Sequence, residues 1–220
     1  MTVDFQASLF DDVAAPSDVP ALGPLGETVR RTVLGNGAWV DVRPGWVTGA
    51  DDLFVRLVHD VPWYAERRQM YDRVVDVPRL LKFYGTGEAL PDPLLEAARD
   101  TLSAHYAAEL GEPFTSAGFC FYRDGRDSVA WHGDTIGRSR TEDTMVAIVS
   151  FGEARRLLLR PRRTVGASGT GGATTSFALG HGDLLVMGGS CQRTWEHAVP
   201  KTSKPVGPRI SVQFRPRGVR

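Results

Sequence analysis

Arg209-Ile210-Ser211-Val212-Gln213-Phe214-Arg215 alternates polar and apolar residues without a break. Successive side chains of a strand point to opposite faces. As a strand, this stretch packs Ile210, Val212 and Phe214 on one side and presents Arg209, Ser211, Gln213 and Arg215 on the other. Guanidinium groups fork onto carboxylates, so two of them on one face suit a dicarboxylate. Surface charge on an edge strand is the other reading of them, since arginine is usually solvated.

Working back from this stretch, the chain from 115 onward reads as short strands separated by turns. Eight are expected, near 116–123, 128–132, 144–151, 155–161, 174–179, 183–188, 194–199 and 209–215. Eight short strands rich in glycine turns predict a double-sheet jelly roll of the cupin type, a double-stranded β-helix. Ahead of them, Val29–Leu34 and Ala38–Arg43 flank Gly35-Asn36-Gly37, a hairpin signal. Thr48-Gly49-Ala50-Asp51 reads as a cap with an acid at the third helical position. The helix after it would bury Leu53, Phe54, Leu57, Val58 and Val61 and stop at Pro62. Trp63 and Tyr64 follow, as core residues or substrate contacts, and 79–85 is expected to be extended. Asp92-Pro93 opens a second helix, with Gly111 closing it. The fold class is therefore α+β, mainly β, with the hairpin and helices packed on one side of the jelly roll. Residues 1–26, with few aromatics and several prolines and acids, read as an irregular tail, and 27–220 as a single domain.

Chemistry concentrates at Trp131-His132-Gly133-Asp134 and Trp195-Glu196-His197. His132 and Asp134 are two apart, so on a strand they point the same way. With His197 they make a two-His, one-carboxylate set, which holds one face of an octahedral non-haem Fe(II) and leaves the other open. Gly166 to Gly172 is too loose for a phosphate loop and reads as a surface connection. His-Gly-Asp also occurs at His181-Gly182-Asp183, only 16 residues before His197. That copy runs straight into Leu184-Leu185-Val186-Met187 and reads as a turn entering a strand. The first copy follows a strand and is preferred. His59 and His105 are assigned no chemistry.

His132-x-Asp134, His197 and Arg209-x5-Arg215 together resemble the AlkB family of Fe(II)/2-oxoglutarate dioxygenases, which dealkylate nucleic acid bases. The flanks agree: Phe119 to Gly125 before the His-x-Asp, Gly182 to Met187 before the distal His, and Trp195-Glu196-His197-Ala198-Val199-Pro200 around it. Pro78-Arg79-Leu80 and Phe83-Tyr84-Gly85 also have the family look, and the resemblance spans about 60–217. It implies that His132, Asp134 and His197 bind Fe(II), and that Arg209 and Arg215, with Tyr122 and the Ser211 position, hold 2-oxoglutarate. It implies that Arg79 touches the nucleic acid backbone and that Tyr84 lies near the target base. A half-buried strand tyrosine is the other reading of Tyr84. The chain carries Cys120 where the family usually has Asn, and Ser211 and Gln213 in place of Asn and Thr in the Arg-x-Asn-x-Thr-Phe-Arg run. It has Ile136 where members often carry an acid that reads the base, and no aromatics in Gly85 to Leu90.

Length and composition fit these readings. The chain has 220 residues, 42% hydrophobic and 24% charged, ordinary for a globular domain. No apolar run reaches membrane length and no export signal is visible, so a cytoplasmic monomer without a membrane is expected. Two cysteines, Cys120 and Cys191, do not make a disulfide framework. Net charge is zero, yet residues 151–220 hold twelve Lys plus Arg against three acids. That suits DNA or RNA as partner, or simply a solvated basic surface. Gln6-Ala7-Ser8-Leu9-Phe10 looks like the peptide by which bacterial replication and repair proteins dock on the sliding clamp. Leu9 and Phe10 folding onto the protein's own core is the alternative. Two rival functions remain: the same iron chemistry on a protein, lipid or small-molecule substrate, and a non-catalytic jelly-roll module binding a metal or nucleic acid.

Overall fold

The computed structural model describes residues 19–70, 73–134, 138–162 and 173–219. In chain order its elements are β1 (Ala21–Leu22), β2 (Arg30–Gly35), β3 (Ala38–Arg43), β4 (Val47–Thr48), α1 (Asp51–Asp60), β5 (Tyr64–Met70), β6 (Arg73–Tyr84), α2 (Pro93–His105), α3 (Ala107–Leu110) and β7 (Phe114–Tyr122). There follow β8 (Val129–His132), β9 (Val146–Gly152), β10 (Arg155–Pro161), β11 (Thr175–Leu179), β12 (Asp183–Gly189), α4 (Cys191–Thr194), β13 (Trp195–Val199) and β14 (Arg209–Pro216).

The strands form two facing sheets. The major sheet runs β2-β3-β12-β9-β14-β7-β6-β5 and the minor sheet β11-β10-β13-β8. Neighbours pair antiparallel throughout. This is the expected jelly roll, and all eight expected strands are present within a few residues of their anticipated ends. Between the sheets lies an inner core that includes Val146, Ile148, Leu157, Leu159 and Leu185. On the outer face of the major sheet, Leu53 and Leu57 of α1 and Leu95, Ala98 and Leu102 of α2 join Phe119, Val149, Ile210, Val212 and Phe214 in a second core.

β14 divides its side chains between these environments. Ile210, Val212 and Phe214 are fully buried under the helices, each worth roughly 1.5–3 kcal/mol. A one-residue slip would move all three into a polar cavity, so the register is strongly fixed. The β2–β3 hairpin turns through Asn36 (φ 54°) and Gly37 (φ 79°), the pair of positive φ values that a two-residue hairpin loop requires.

The helix starts differ in kind. Asp92 accepts a hydrogen bond from the Leu94 amide at 2.9 Å, with Pro93 in the first turn, as expected. α1 begins at Asp51 behind Ala50, with no side-chain cap. Thr48 is not the cap because it belongs to β4, opposite Ala21. Asp51 and Asp52 in the first turn favour the start electrostatically instead. The second helix is interrupted at Tyr106, whose hydroxyl donates to buried Asp41 at 3.0 Å and whose ring stacks on Trp39. The short α3 then ends at Gly111 in the left-handed conformation (φ 74°). The end of the expected irregular tail, Ala21–Leu22, pairs with Val47–Thr48. Gln6 to Phe10, Ile136 and Gly166 to Gly172 lie outside the described residues.

Candidate active site

β8 and β13 are neighbours in the minor sheet, and His132 is the register partner of His197. Their rings face the cavity between the sheets with centroids 4.2 Å apart. Asp134 follows two residues after His132. One donor atom from each of His132, Asp134 and His197 lies within 4.8 Å of the others. The ladder thus brings together residues separated by 65 positions in sequence.

Each donor is oriented. His132 Nδ1 donates to the Ala130 carbonyl at 2.9 Å, which fixes the ring with Nε2 on the Asp134 side. Asp134 is 6% exposed. Its Oδ2 accepts from Arg215 Nε at 3.0 Å and Nη2 at 2.9 Å, leaving Oδ1 on the His132 side, 3.7 Å from Nε2. The Asp134 amide donates to Gln192 Oε1 at 3.2 Å, and Ser139 Oγ donates to its carbonyl. Burial alone would raise the Asp134 pKa, but the Arg215 guanidinium and the two imidazoles beside it hold the carboxyl well below the usual range. Burial, with His132 close by, pushes His197 down to about 3, so its imidazole is neutral at physiological pH. A carboxylate and two neutral imidazoles are the states in which these groups bind a metal.

Farther into the cavity, Arg209 is 2% exposed. Its Nε donates to Ser150 Oγ at 2.8 Å, while Nη1 has no hydrogen-bond partner among the described residues. Its guanidinium carbon lies 5.3 Å from the centre of the Tyr122 ring. Burial pushes the Arg209 pKa down from its very high ordinary value and raises the Tyr122 phenol to about 12, so the phenol keeps its proton. An unsatisfied buried guanidinium is costly unless an anion completes it.

These groups line one cavity of about 500 Å³. His132, Asp134 and His197 share its wall with Arg209, Ser211, Gln213, Arg215, Tyr122 and Cys120. Arg79 also lines it and donates from Nη1 to the Ser128 carbonyl at 3.1 Å. Tyr84 is the exception among the expected site residues. It is 9% exposed, packed against Phe119 (ring centroids 5.1 Å apart) in the outer core, and does not line the cavity. The pleat explains this: Phe83, one residue earlier, faces the cavity, so Tyr84 faces the helices. Tyr64 of β5, 46% exposed, does line the cavity wall. Trp63 sits in the outer core, with its indole N–H directed at the Leu57 and Val58 carbonyls, 3.2 Å from each.

The second His-Gly-Asp is a turn. His181 Nδ1 accepts the Gly152 amide at 3.0 Å, with its ring between Phe54 and Phe151. Asp183 accepts from the amides of Gly180 and Gly45, each at 2.7 Å. Gln192 and Ser150, which orient Asp134 and Arg209, carried no recognisable sequence signal because their contacts are long-range.

The donor set suits Fe(II) with open positions, and the arginines suit a dicarboxylate. Residues 84–215 match the family model of the 2OG-Fe(II) oxygenase superfamily. The human alpha-ketoglutarate-dependent dioxygenase alkB homolog 3 is 32% identical over 217 residues, covering 90% of this chain and 71% of its own length. The human DNA oxidative demethylase ALKBH2 is 29% identical over 182 residues, covering 76% and 68%. The solved structure of OsALKBH1 superposes with a TM-score of 0.59 at 14% identity over 86% of this chain and all of that one, which speaks for the fold. A family model spanning the whole site, a relative matched over most of both chains and a cavity built for iron and a dicarboxylate agree: the chain belongs to the AlkB family of Fe(II)/2-oxoglutarate-dependent dioxygenases.

Proposed function

We propose that the protein removes alkyl groups from damaged bases in DNA or RNA. His132, Asp134 and His197 hold Fe(II), and Arg209, Arg215, Tyr122 and Ser211 hold 2-oxoglutarate. The observation that carries the reading is the shared cavity, in which the three donors stand beside a buried, incompletely bonded Arg209. Bound together, Fe(II) and 2-oxoglutarate let O₂ oxidise an N-alkyl C–H bond, with succinate and CO₂ as co-products. The hydroxyalkyl product then sheds an aldehyde.

The chain's own residues supply position and exclusion. Arg209 and Tyr122, deep between the sheets, would hold one carboxylate of the cosubstrate, and Arg215, bonded to Asp134, would hold the other. Ile148, Leu157 and Val199 line the wall and limit water. The His132 side chain, 39% exposed, presents its ring to an incoming base. Tyr64 and Phe83 at the cavity wall offer aromatic faces to the same base. A base must leave a duplex, or come from a single strand, to reach this depth. Arg79 and the basic second half of the chain meet phosphates, so binding weakens with salt.

The test is release of succinate and formaldehyde from DNA and RNA oligomers carrying 1-methyladenine or 3-methylcytosine. Formaldehyde lost in His132→Ala supports the reading. Succinate without formaldehyde on any oligomer moves the substrate to another class. Gln6 to Phe10 serves as a sliding-clamp peptide in this proposal. Leu9→Ala with Phe10→Ala should abolish clamp binding and spare turnover, and unchanged binding would remove that part. Free, buried Cys120 and Cys191 are consistent with a reducing cytoplasm. No helix among the described residues is long and apolar enough to cross a membrane.

A further inference from the structure

The three positions where the chain departs from its family's cosubstrate pattern, Cys120, Ser211 and Gln213, are in contact with one another. Cys120 and Ser211 are register partners across β7 and β14. Gln213 Nε2 donates to Ser211 Oγ at 2.7 Å and to the Ser211 carbonyl at 3.4 Å, and the acceptor-only carbonyl fixes the orientation of the carboxamide. Its Oε1 then receives the Cys120 thiol at 3.8 Å and faces Arg215 Nη2 at 3.5 Å, while Arg215 Nη1 reaches the Gln213 backbone carbonyl at 3.4 Å. Beside the same two side chains lies Gly118, the register partner of Gln213. A Cβ at Gly118 would meet Arg215 Nη1 at 2.6 Å and Gln213 Oε1 at 3.2 Å. Arg215 therefore lies against the carboxamide and the bare backbone of Gly118 together, with its Nε and Nη2 edge against Asp134 Oδ2.

We propose that Gln213 is a positioning residue for Arg215: it and the side-chain-free Gly118 set the guanidinium so that one fork engages both Asp134 and a carboxylate of 2-oxoglutarate. The inference rests on the cosubstrate assignment above. A long arginine on a strand facing a 500 Å³ cavity has many rotamers. Its two tasks need one of them, and holding that rotamer in advance removes its ordering cost from binding. Besides its place beside the cosubstrate, Ser211 holds the amino end of the Gln213 amide through its hydroxyl and carbonyl, which leaves Oε1 toward the arginine.

The experiment is calorimetric titration of 2-oxoglutarate into Zn(II)-loaded protein, which binds without turning over, with steady-state kinetics of the Fe(II) form alongside. Near-isosteric Gln213→Met should weaken 2-oxoglutarate binding about tenfold, the scale seen when an orienting outer-shell partner is lost. KM for 2-oxoglutarate should rise with kcat little changed. Gln213→Glu should weaken binding further, because its carboxylate captures Arg215 and repels the cosubstrate. Gly118→Ala provides an independent displacement of the same fork and should also weaken binding. In an Arg215→Met background, Gln213→Met and Gly118→Ala should have no further effect, since they act through that side chain. Unchanged 2-oxoglutarate affinity in Gln213→Met, or the same loss with Arg215 absent, overturns the inference. Wild-type protein that binds no 2-oxoglutarate at all overturns the cosubstrate assignment instead.

Discussion

Replacing Arg209 by Met separates a ligand-binding role from a structural one. The side chain is 2% exposed, its Nε is spent on Ser150, and its Nη1 is unpartnered. If a cosubstrate carboxylate completes it, the variant loses two charge-assisted hydrogen bonds. At about 1.5–2 kcal/mol each, the loss is roughly 3–4 kcal/mol, or a hundred- to a thousand-fold in Kd. The ligand-free fold should respond in the opposite sense. An isolated buried cation is a burden, and an apolar side chain of similar length is neutral or stabilising by about 1–4 kcal/mol. For a chain of this size each kcal/mol moves Tm by about 2–4 °C. Thermal melts with and without 2-oxoglutarate read both effects. The ligand-free Tm of Arg209→Met should stay level or rise, and the shift that 2-oxoglutarate gives the wild type should vanish. A ligand-free Tm that drops by several degrees while the 2-oxoglutarate shift survives would refute the argument and make Arg209 a structural residue.

His132→Ala should abolish measurable Fe(II) binding, whereas His181→Ala should retain it and lose about 1–2 kcal/mol of stability through the vacated Gly152 amide; metal titration and urea unfolding check both. Acid should destabilise the metal-free protein. His197, at about 3 when folded against an ordinary 6.5, takes up a proton on unfolding, so its effect begins as pH falls below 6.5 and grows by roughly 1.4 kcal/mol per unit down to about 3. Asp134, also held low, adds to the loss below its ordinary 3.8. Urea midpoints that are flat between pH 6.5 and 4 would contradict this. Tyr64→Ala should lower kcat/KM for an alkylated oligonucleotide about tenfold, while Tyr84→Phe changes it less than twofold; equal effects would return Tyr84 to the site.

The strands of the jelly roll were legible by two patterns: β14 alternates, with Ile210, Val212 and Phe214 opposite Arg209, Ser211, Gln213 and Arg215, while β9 and β12, buried on both faces, are short continuous apolar runs. His132, Asp134 and His197 were legible because spacing and residue type together are restrictive. The β5–β6 hairpin was not anticipated beyond an extended 79–85, since Glu66-Arg67-Arg68-Gln69 reads as surface and carries no apolar alternation. That omission also misdirected attention to Tyr84, because cavity-facing parity can be assigned only once β6 is paired with β7. Thr48 resembled a cap locally, but its pairing with Ala21, far away in sequence, placed it in a strand. Gln192 and Ser150 matter through distant partners, and nothing in their immediate neighbours announces that.

β14 is the last strand in sequence, yet it lies in the middle of the major sheet, between β9 and β7. Without it the major sheet would present two open edges, those of β9 and β7, on either side of an unfilled slot. Both are sticky surfaces of the kind that recruit chaperones or other chains. The late strand closes the slot and delivers both arginines in the same step. Pairing of the central strand and assembly of the cosubstrate arginines are thus one structural event, so a change that loosens β14 from β7 or β9 disturbs sheet and site together.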